Sequence, residues 1–274
     1  MERFPNEIVD HYDREIDEEQ RITQGLGQLE LLRTREVLRR HLPAAPQRIL
    51  DVGGGTGVHA AWLADDGHHV HLIDRVPRHV EQARRRTAPH GSITAELGDA
   101  RNLRAGRASF DAVLVFGPLY HLTERDDRIG ALREAARVLG PDGIVFAAAI
   151  SRFGSLLDGL AREFLFDPDF RPIVERDLQE GQHRNPHRRP HWFTTAYFHH
   201  PDELRVELEH ADLEVVELVG VEGLAGWLPH LSQRWQNTSD RELILWSARV
   251  VEAEPSLLGL SAHLLAVARR RGRA

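Results

Sequence analysis

The sequence contains no cysteine. Disulfides, thiolate catalysis and cysteine-based zinc sites are therefore excluded. Lysine is also absent, so arginine carries the positive charge. With alanine frequent, this reads as genome composition rather than function. No apolar run reaches the roughly 18 residues that would suggest a membrane span. Met1-Glu2-Arg3-Phe4-Pro5 lacks the apolar stretch of a signal peptide, and a cytoplasmic location is the expectation. A basic excess is missing too, since the formal net charge is −7. Only Arg84-Arg85-Arg86 and Arg269-Arg270-Arg271-Gly272-Arg273 are basic clusters, and both fit solvated helix ends. That argues against a broad nucleic-acid surface. There is no internal repeat and no low-complexity segment.

What is there is an ordinary globular composition, 41% hydrophobic and 28% charged over 274 residues. This length suits one α/β domain with a sizeable insertion. Residues 1–45 look helical. Leu29, Leu31, Leu32, Val37 and Leu38 recur at roughly helical spacing, and Pro43 and Pro46 end the run. Short apolar runs then alternate with helical patterns. Strands are expected at 48–52, 69–73, 92–97, 112–116 and 144–150, with helices at 59–66, 78–86 and 125–139. Gly140-Pro141-Asp142-Gly143 reads as a turn. Residues 151–198 hold helical pieces and a polar, His-rich stretch with no obvious strand. They read as an insertion over the sheet's carboxyl edge. A helix at 201–211, a strand at 213–219, a helix at 239–254 and a strand at 262–268 follow. Seven strands, the last two hairpin-like in pairing, predict a doubly wound, mostly parallel α/β sheet. One domain is expected over 1–274, with 1–45 as a helical lid and 151–200 as an acceptor lid.

The run Leu50-Asp51-Val52-Gly53-Gly54-Gly55-Thr56-Gly57 joins the first strand to a helix. Glycines permit a tight turn and let a ligand approach the backbone closely. Amide groups at the helix start can meet a carboxylate or phosphate. A dinucleotide loop usually reads G-x-G-x-x-G. Here Gly53, Gly55 and Gly57 are spaced G-x-G-x-G, and Asp51 would repel a pyrophosphate. The acid suits a ligand carrying an ammonium and a sulfonium. Asp74 closes the second strand, where an acid can accept hydrogen bonds from ribose hydroxyls. Asp99 follows the third, placed for an exocyclic adenine amine.

The series continues with Phe110-Asp111-Ala112-Val113, with Phe116-Gly117-Pro118-Leu119-Tyr120-His121, and with Leu132-Arg133-Glu134-Ala135-Ala136-Arg137-Val138-Leu139-Gly140. In this order the pieces resemble the class I S-adenosylmethionine (SAM)-dependent methyltransferases, strongly over 45–150 and weakly elsewhere. The resemblance implies a Rossmann-like fold, SAM as methyl donor and S-adenosylhomocysteine as product. It implies that Asp51, Gly53, Gly54, Gly55 and Gly57 face the methionine moiety. Asp74 would bind the ribose, with Arg75 among the cofactor contacts, and Asp99 with Ala100 would bind the adenine. Phe116 and Gly117 would line the pocket near the sulfonium. His11-Tyr12-Asp13 is similar to a Tyr-Asp pair that closes over the cofactor in many such enzymes, so Tyr12 is a candidate lid contact. Arg21 is a candidate partner for the SAM carboxylate.

A sulfonium is already an activated donor. The protein's main task is to place a nucleophile in line with the methyl carbon and exclude water, and proximity alone lowers such a barrier by roughly 7–11 kcal/mol. A base is needed only if the acceptor arrives protonated. His121 is the candidate base, because an ordinary histidine pKa of roughly 6.5 suits proton removal near neutrality. Tyr120 is a candidate for orienting the substrate. Gly117-Pro118-Leu119-Tyr120 only echoes the Asn/Asp-Pro-Pro-Tyr signature, which argues against DNA adenine or protein glutamine methylation. The aromatic-rich stretch from Trp192 to His200 is expected to wall an acceptor pocket, with Tyr197 and His199 as substrate contacts. Gly223-Leu224-Ala225-Gly226-Trp227-Leu228 is a further wall. His183, His187 and His191 are evenly spaced, but Pro186 and Pro190 interrupt any helix that would align them, so no metal site is expected.

The expected acceptor is a small molecule with an O or N nucleophile, and the expected state is a monomer or homodimer without nucleic-acid or membrane partners. A peptide or RNA acceptor, or SAM binding without catalysis, are the alternatives; the acidic balance counts against RNA. Acceptors are recognised by loops and insertions, which the fold does not encode.

Overall fold

The computed structural model describes residues 6–12, 18–189 and 191–272. The chain opens with helices α1 (Asn6–Asp10), α2 (Glu18–Thr23) and α3 (Leu26–His41). Then come β1 (Arg48–Val52), α4 (Val58–Asp65), β2 (His69–Asp74), α5 (Pro77–Thr87), β3 (Ile93–Leu97) and β4 (Phe110–Val115). A short α6 (Pro118–His121), α7 (Arg125–Val138) and a long β5 (Leu139–Ser151) follow. A cap holds α8 (Gly154–Ala161), α9 (Arg171–Glu180), β6 (Gln182–His183) and β7 (Ala196–His199). The chain ends with α10 (Pro201–His210), β8 (Leu213–Gly220), α11 (Leu231–Trp235), α12 (Thr238–Val251) and β9 (His263–Arg270).

Strands β1 to β5 are parallel, in the order β3-β2-β1-β4-β5. Strand β9 lies antiparallel to β5, and β8 antiparallel to β9. A parallel core must be covered on both faces, and strand residues alternate between them. Leu50, Val52, Val113, Val115 and Val145 share one cluster with Leu132 of α7 and Leu204 and Leu208 of α10. Ile49, Leu72, Ala112, Leu114 and Phe146 share the other with Val37 and Leu38 of α3, Leu63 of α4 and Ala83 of α5. Each fully buried Val, Leu, Ile or Phe side chain among them contributes roughly 1.5–3 kcal/mol. The carboxyl ends of β1, β2 and β3 are thus held between two apolar layers, and the connecting loops open at that edge.

Two expectations change. The segment 151–198 is not strandless, because β7 pairs in parallel with Ile150 and Ser151 of β5, and β6 pairs antiparallel with β7. Strand β4 pairs with β5 only as far as Ala147, which leaves the end of β5 for β7 to extend. Among the described residues the sheet therefore has nine strands rather than seven. The second change concerns residues 140–143, which lie inside β5. There the register slips between Phe110 opposite Leu139 and Ala112 opposite Ile144, so the glycines make an irregularity within the strand instead of a separate turn. Among the described residues, no helix is long and apolar enough to cross a membrane.

Candidate active site at the carboxyl edge of the sheet

The loop after β1 touches the loop after β4. Gly53 adopts φ 78°, and a Cβ there would stand 2.3 Å from the Phe116 carbonyl oxygen. Only glycine fits that contact. The loop is also tied to β2: Asp74 accepts from Gly55 N–H at 2.9 Å and from Val76 N–H at 2.8 Å. The acid at the end of β2 therefore holds the glycine loop in place.

Two clefts, each of about 690 Å³, meet at this loop. The first is lined by Asp74, Arg75, Asp99 and Ala100 on the sheet side, and by Tyr12 and His121 above. Asp99 pairs with Arg75 and accepts from Arg101 N–H at 3.0 Å. Burial opposes its charge, but these arginines outweigh burial and hold its carboxyl below the usual range. The second cleft is lined by Arg21, Glu30, Thr34, His59 and His263. Glu18, Gly53, Gly55 and Tyr120 border both clefts.

Aromatic contacts cover the first cleft. Tyr12 Oη lies 2.8 Å from His121 Nε2, and the His121 ring stacks on Phe193 of the cap, 6.0 Å between centroids. Burial lowers the His121 pKa to about 3. Burial also raises the Tyr12 and Tyr120 hydroxyls above their ordinary value.

Charge alternates along the second cleft. Arg21 donates through Nε and Nη2 to Glu18 at 2.8 and 2.7 Å, and through Nη1 to Glu30 at 2.9 Å. Burial works against the Glu30 carboxylate, yet Arg21 holds its pKa at about 2. His263 Nδ1 stands 4.0 Å from Glu30 and 2.5 Å from Glu222. Those two carboxylates overcome burial and raise His263 to about 9. Glu30, Glu222 and His263 place three ligand atoms within 4.8 Å of one another, a spacing a metal ion accepts. Arg21, Ser261 and the His263 amide already occupy the carboxylate oxygens, and the imidazolium supplies the compensating charge. The cluster is built as an ion chain.

Residues 49–143 match the family described as a methyltransferase domain. The ubiquinone biosynthesis O-methyltransferase of Methylocella silvestris is 38% identical over 111 residues, covering 40% of this chain and 42% of that protein. The chain thus spans less than half the length of that relative. The putative methyltransferase solved with the Trm112 activator of Haloferax volcanii superposes with a TM-score of 0.63 at 19% identity, over 97% of this chain and 99% of that one. The [4+2]-cyclase SpnF superposes with a TM-score of 0.56 at 20% identity, over 89% of this chain and 82% of that one. Over residues 49–143 the chain is similar to a methyltransferase domain.

Within the matched region, the structure brings Asp74, Arg75, Asp99, Ala100, Gly53, Gly55, Gly117, Tyr120 and His121 to the clefts, with Phe116 and Gly54 in the second. Tyr12 and Arg21 join them from the N-terminal segment, while Asp13 of the expected Tyr-Asp pair lies outside the described residues. Gly57 starts α4 in a left-handed conformation, behind the loop. Asp51 does not face the ligand space. It is fully buried, borders neither cleft, and its carboxylate oxygens have no hydrogen-bond partner among the described residues. Burial, reinforced by Asp74, lifts its pKa to about 7.

Tyr197 and His199 do not reach the clefts either. The Arg128 guanidinium lies 3.5 Å from the centre of the Tyr197 ring, and fully buried His199 bonds Glu207 at 3.2 Å. Their burial on β7 serves packing. His183 is buried between Asp177 and the Trp192 carbonyl, at 2.7 Å from each, whereas His187 and His191 are exposed. Sequence reasoning missed Glu18, Glu30, His59 and His263. His59, in the first turn after the loop, was open to inference by position; His263 carries no local signal.

Proposed function

We propose that the chain transfers a methyl group from SAM to an O or N nucleophile of a small-molecule acceptor by in-line displacement. The observation that carries this reading is the pair of clefts meeting at Gly53 and Gly55, with Asp74 and Asp99 at one end and Arg21 at the other. An extended ligand fits that layout: adenosine against the two acids, sulfonium at the glycine junction, α-carboxylate toward Arg21. The named O-methyltransferase relative supports oxygen as nucleophile. His121 is neutral and weakly basic at pH 7. It holds Tyr12 over the first cleft, and rate enhancement rests on placement and water exclusion. The cap and lid, which meet at His121 and Phe193, enclose a small acceptor better than a polymer.

Calorimetric titration with SAM, S-adenosylhomocysteine and NAD tests the donor. Binding of NAD and of neither SAM species overturns it. Incubation with SAM and a panel of small phenols, alcohols and amines tests transfer, read as a methyl mass gain. The fold is shared with a [4+2]-cyclase, so the fold alone does not fix methyl transfer, and the second reading is SAM binding without it. Binding without turnover across the panel favours that reading.

A further inference from the structure

The Arg21 guanidinium presents two edges, and they are held differently. The Nη1 edge meets Glu30, whose other neighbour is His263, itself fastened to fully buried Glu222. Glu222 accepts in turn from Ser261 Oγ at 2.8 Å and from His263 N–H at 3.0 Å. That edge is anchored to α3, to the start of β9 and to the segment after β8. The opposite edge, Nε with Nη2, is taken bidentately by Glu18 of α2, three residues away in the chain. Among the described residues no other hydrogen bond or ion pair fastens Glu18, and its side chain borders both clefts at the junction. Arg21 keeps 36% of its side-chain surface exposed beside the second cleft.

Fork-to-fork pairing of arginine with a carboxylate is geometrically specific and is the same for any carboxylate. A ligand α-carboxylate reaching Arg21 therefore finds its place filled by the protein's own acid. Building on the proposed donor, we infer that the Nε/Nη2 edge of Arg21 is a carboxylate-exchange site: Glu18 occupies it in the unliganded chain, and the amino-acid carboxylate of SAM displaces Glu18 on binding. Glu30, His263 and Glu222 are positioning residues that keep the guanidinium in place during the exchange. Glu18 thereby lowers the apparent affinity for donors with an amino-acid tail by the fraction of molecules it leaves competent.

The test compares two ligands by calorimetry. S-adenosylhomocysteine carries the tail; 5′-methylthioadenosine carries adenosine and sulfur without it. Glu18→Gln is expected to tighten S-adenosylhomocysteine ~tenfold, as for a competent fraction of about one tenth, and to leave methylthioadenosine unchanged. Glu30→Gln is expected to act with the opposite sign on S-adenosylhomocysteine alone. Weaker or unchanged S-adenosylhomocysteine binding by Glu18→Gln overturns the exchange, and so do parallel changes in both ligands. Failure of both ligands to bind the unaltered chain overturns the SAM reading itself, a separate result.

Discussion

Two regions of the molecule bury charge, and they use it in opposite ways. Between the cap, α7 and α10, the charges satisfy one another. Arg128 bonds Glu207 at 2.7 Å, Glu207 bonds His199, and Arg152 pairs with Glu203. At the carboxyl edge of the sheet, the charges border open space. Asp74, Asp99, Arg21 and Glu30 all line clefts, and Asp51 beneath them has no partner among the described residues. Buried charge that closes on itself is architecture. Buried charge turned toward a cavity, or left incomplete beneath one, marks where a ligand belongs.

The sharpest way to break this contrast is at Glu207. Burial opposes its charge, but bonds from His199 and Arg128 hold its pKa near 2. Glu207→Ala leaves Arg128 buried without its counter-charge, which costs about 3–5 kcal/mol. Denaturant unfolding should show that loss, and the double variant Arg128→Met/Glu207→Leu should recover most of it. A loss below about 1 kcal/mol would mean that the pair is not structural.

Asp51 is expected to show the reverse sign. Its folded pKa, about 7, lies above the ordinary 3.8. The folded state therefore holds a proton that the unfolded state has released, and stability falls as pH rises from about 4 to 7. Asp51→Asn removes the charge that burial penalises. It should stabilise the fold above pH 8 by up to ~4 kcal/mol and by much less at pH 4. Unfolding midpoints at both pH values decide this, and a pH-independent difference defeats the assignment. At the cleft itself, Asp74→Ala should weaken S-adenosylhomocysteine by ~1–3 kcal/mol, since both the ligand contact and the Gly55 bond are lost. Unchanged affinity in a calorimetric titration would remove Asp74 from the site.

The first of these regions was hidden from the sequence and the second was largely legible in it. Glycine spacing and acids at strand ends are local signals, because each is set by the strand that precedes it. That is why β1 to β5 and the positions of Asp74 and Asp99 were open to inference. Asp51 was expected to face the ligand, but alternation along β1 turns it under the loop, where it borders neither cleft. Tyr197 and His199 were misjudged because four consecutive buried residues on β7 give no sign of which face meets a cavity. The chain from Arg21 to His263 joins residues more than two hundred positions apart, and nothing local announces such a contact.

The smallest expected effect lies where the two regions touch. Tyr12 comes from the lid, His121 from the end of α6 and Phe193 from the cap, and the three meet above the first cleft. If His121 serves to hold Tyr12 down, Tyr12→Phe keeps the edge-on ring contact, 5.2 Å between centroids, and loses one hydrogen bond. That should lower S-adenosylhomocysteine affinity by ~0.5–1.5 kcal/mol with little change in the unfolding midpoint. His121→Gln, which retains a hydrogen-bonding group, should lose less affinity than His121→Ala. If His121 were instead the base, both His121 variants would abolish turnover with binding intact, and turnover in the unaltered chain would follow the protonation of a group near pH 3. A fall in binding with turnover preserved at saturating SAM assigns the pair to the lid.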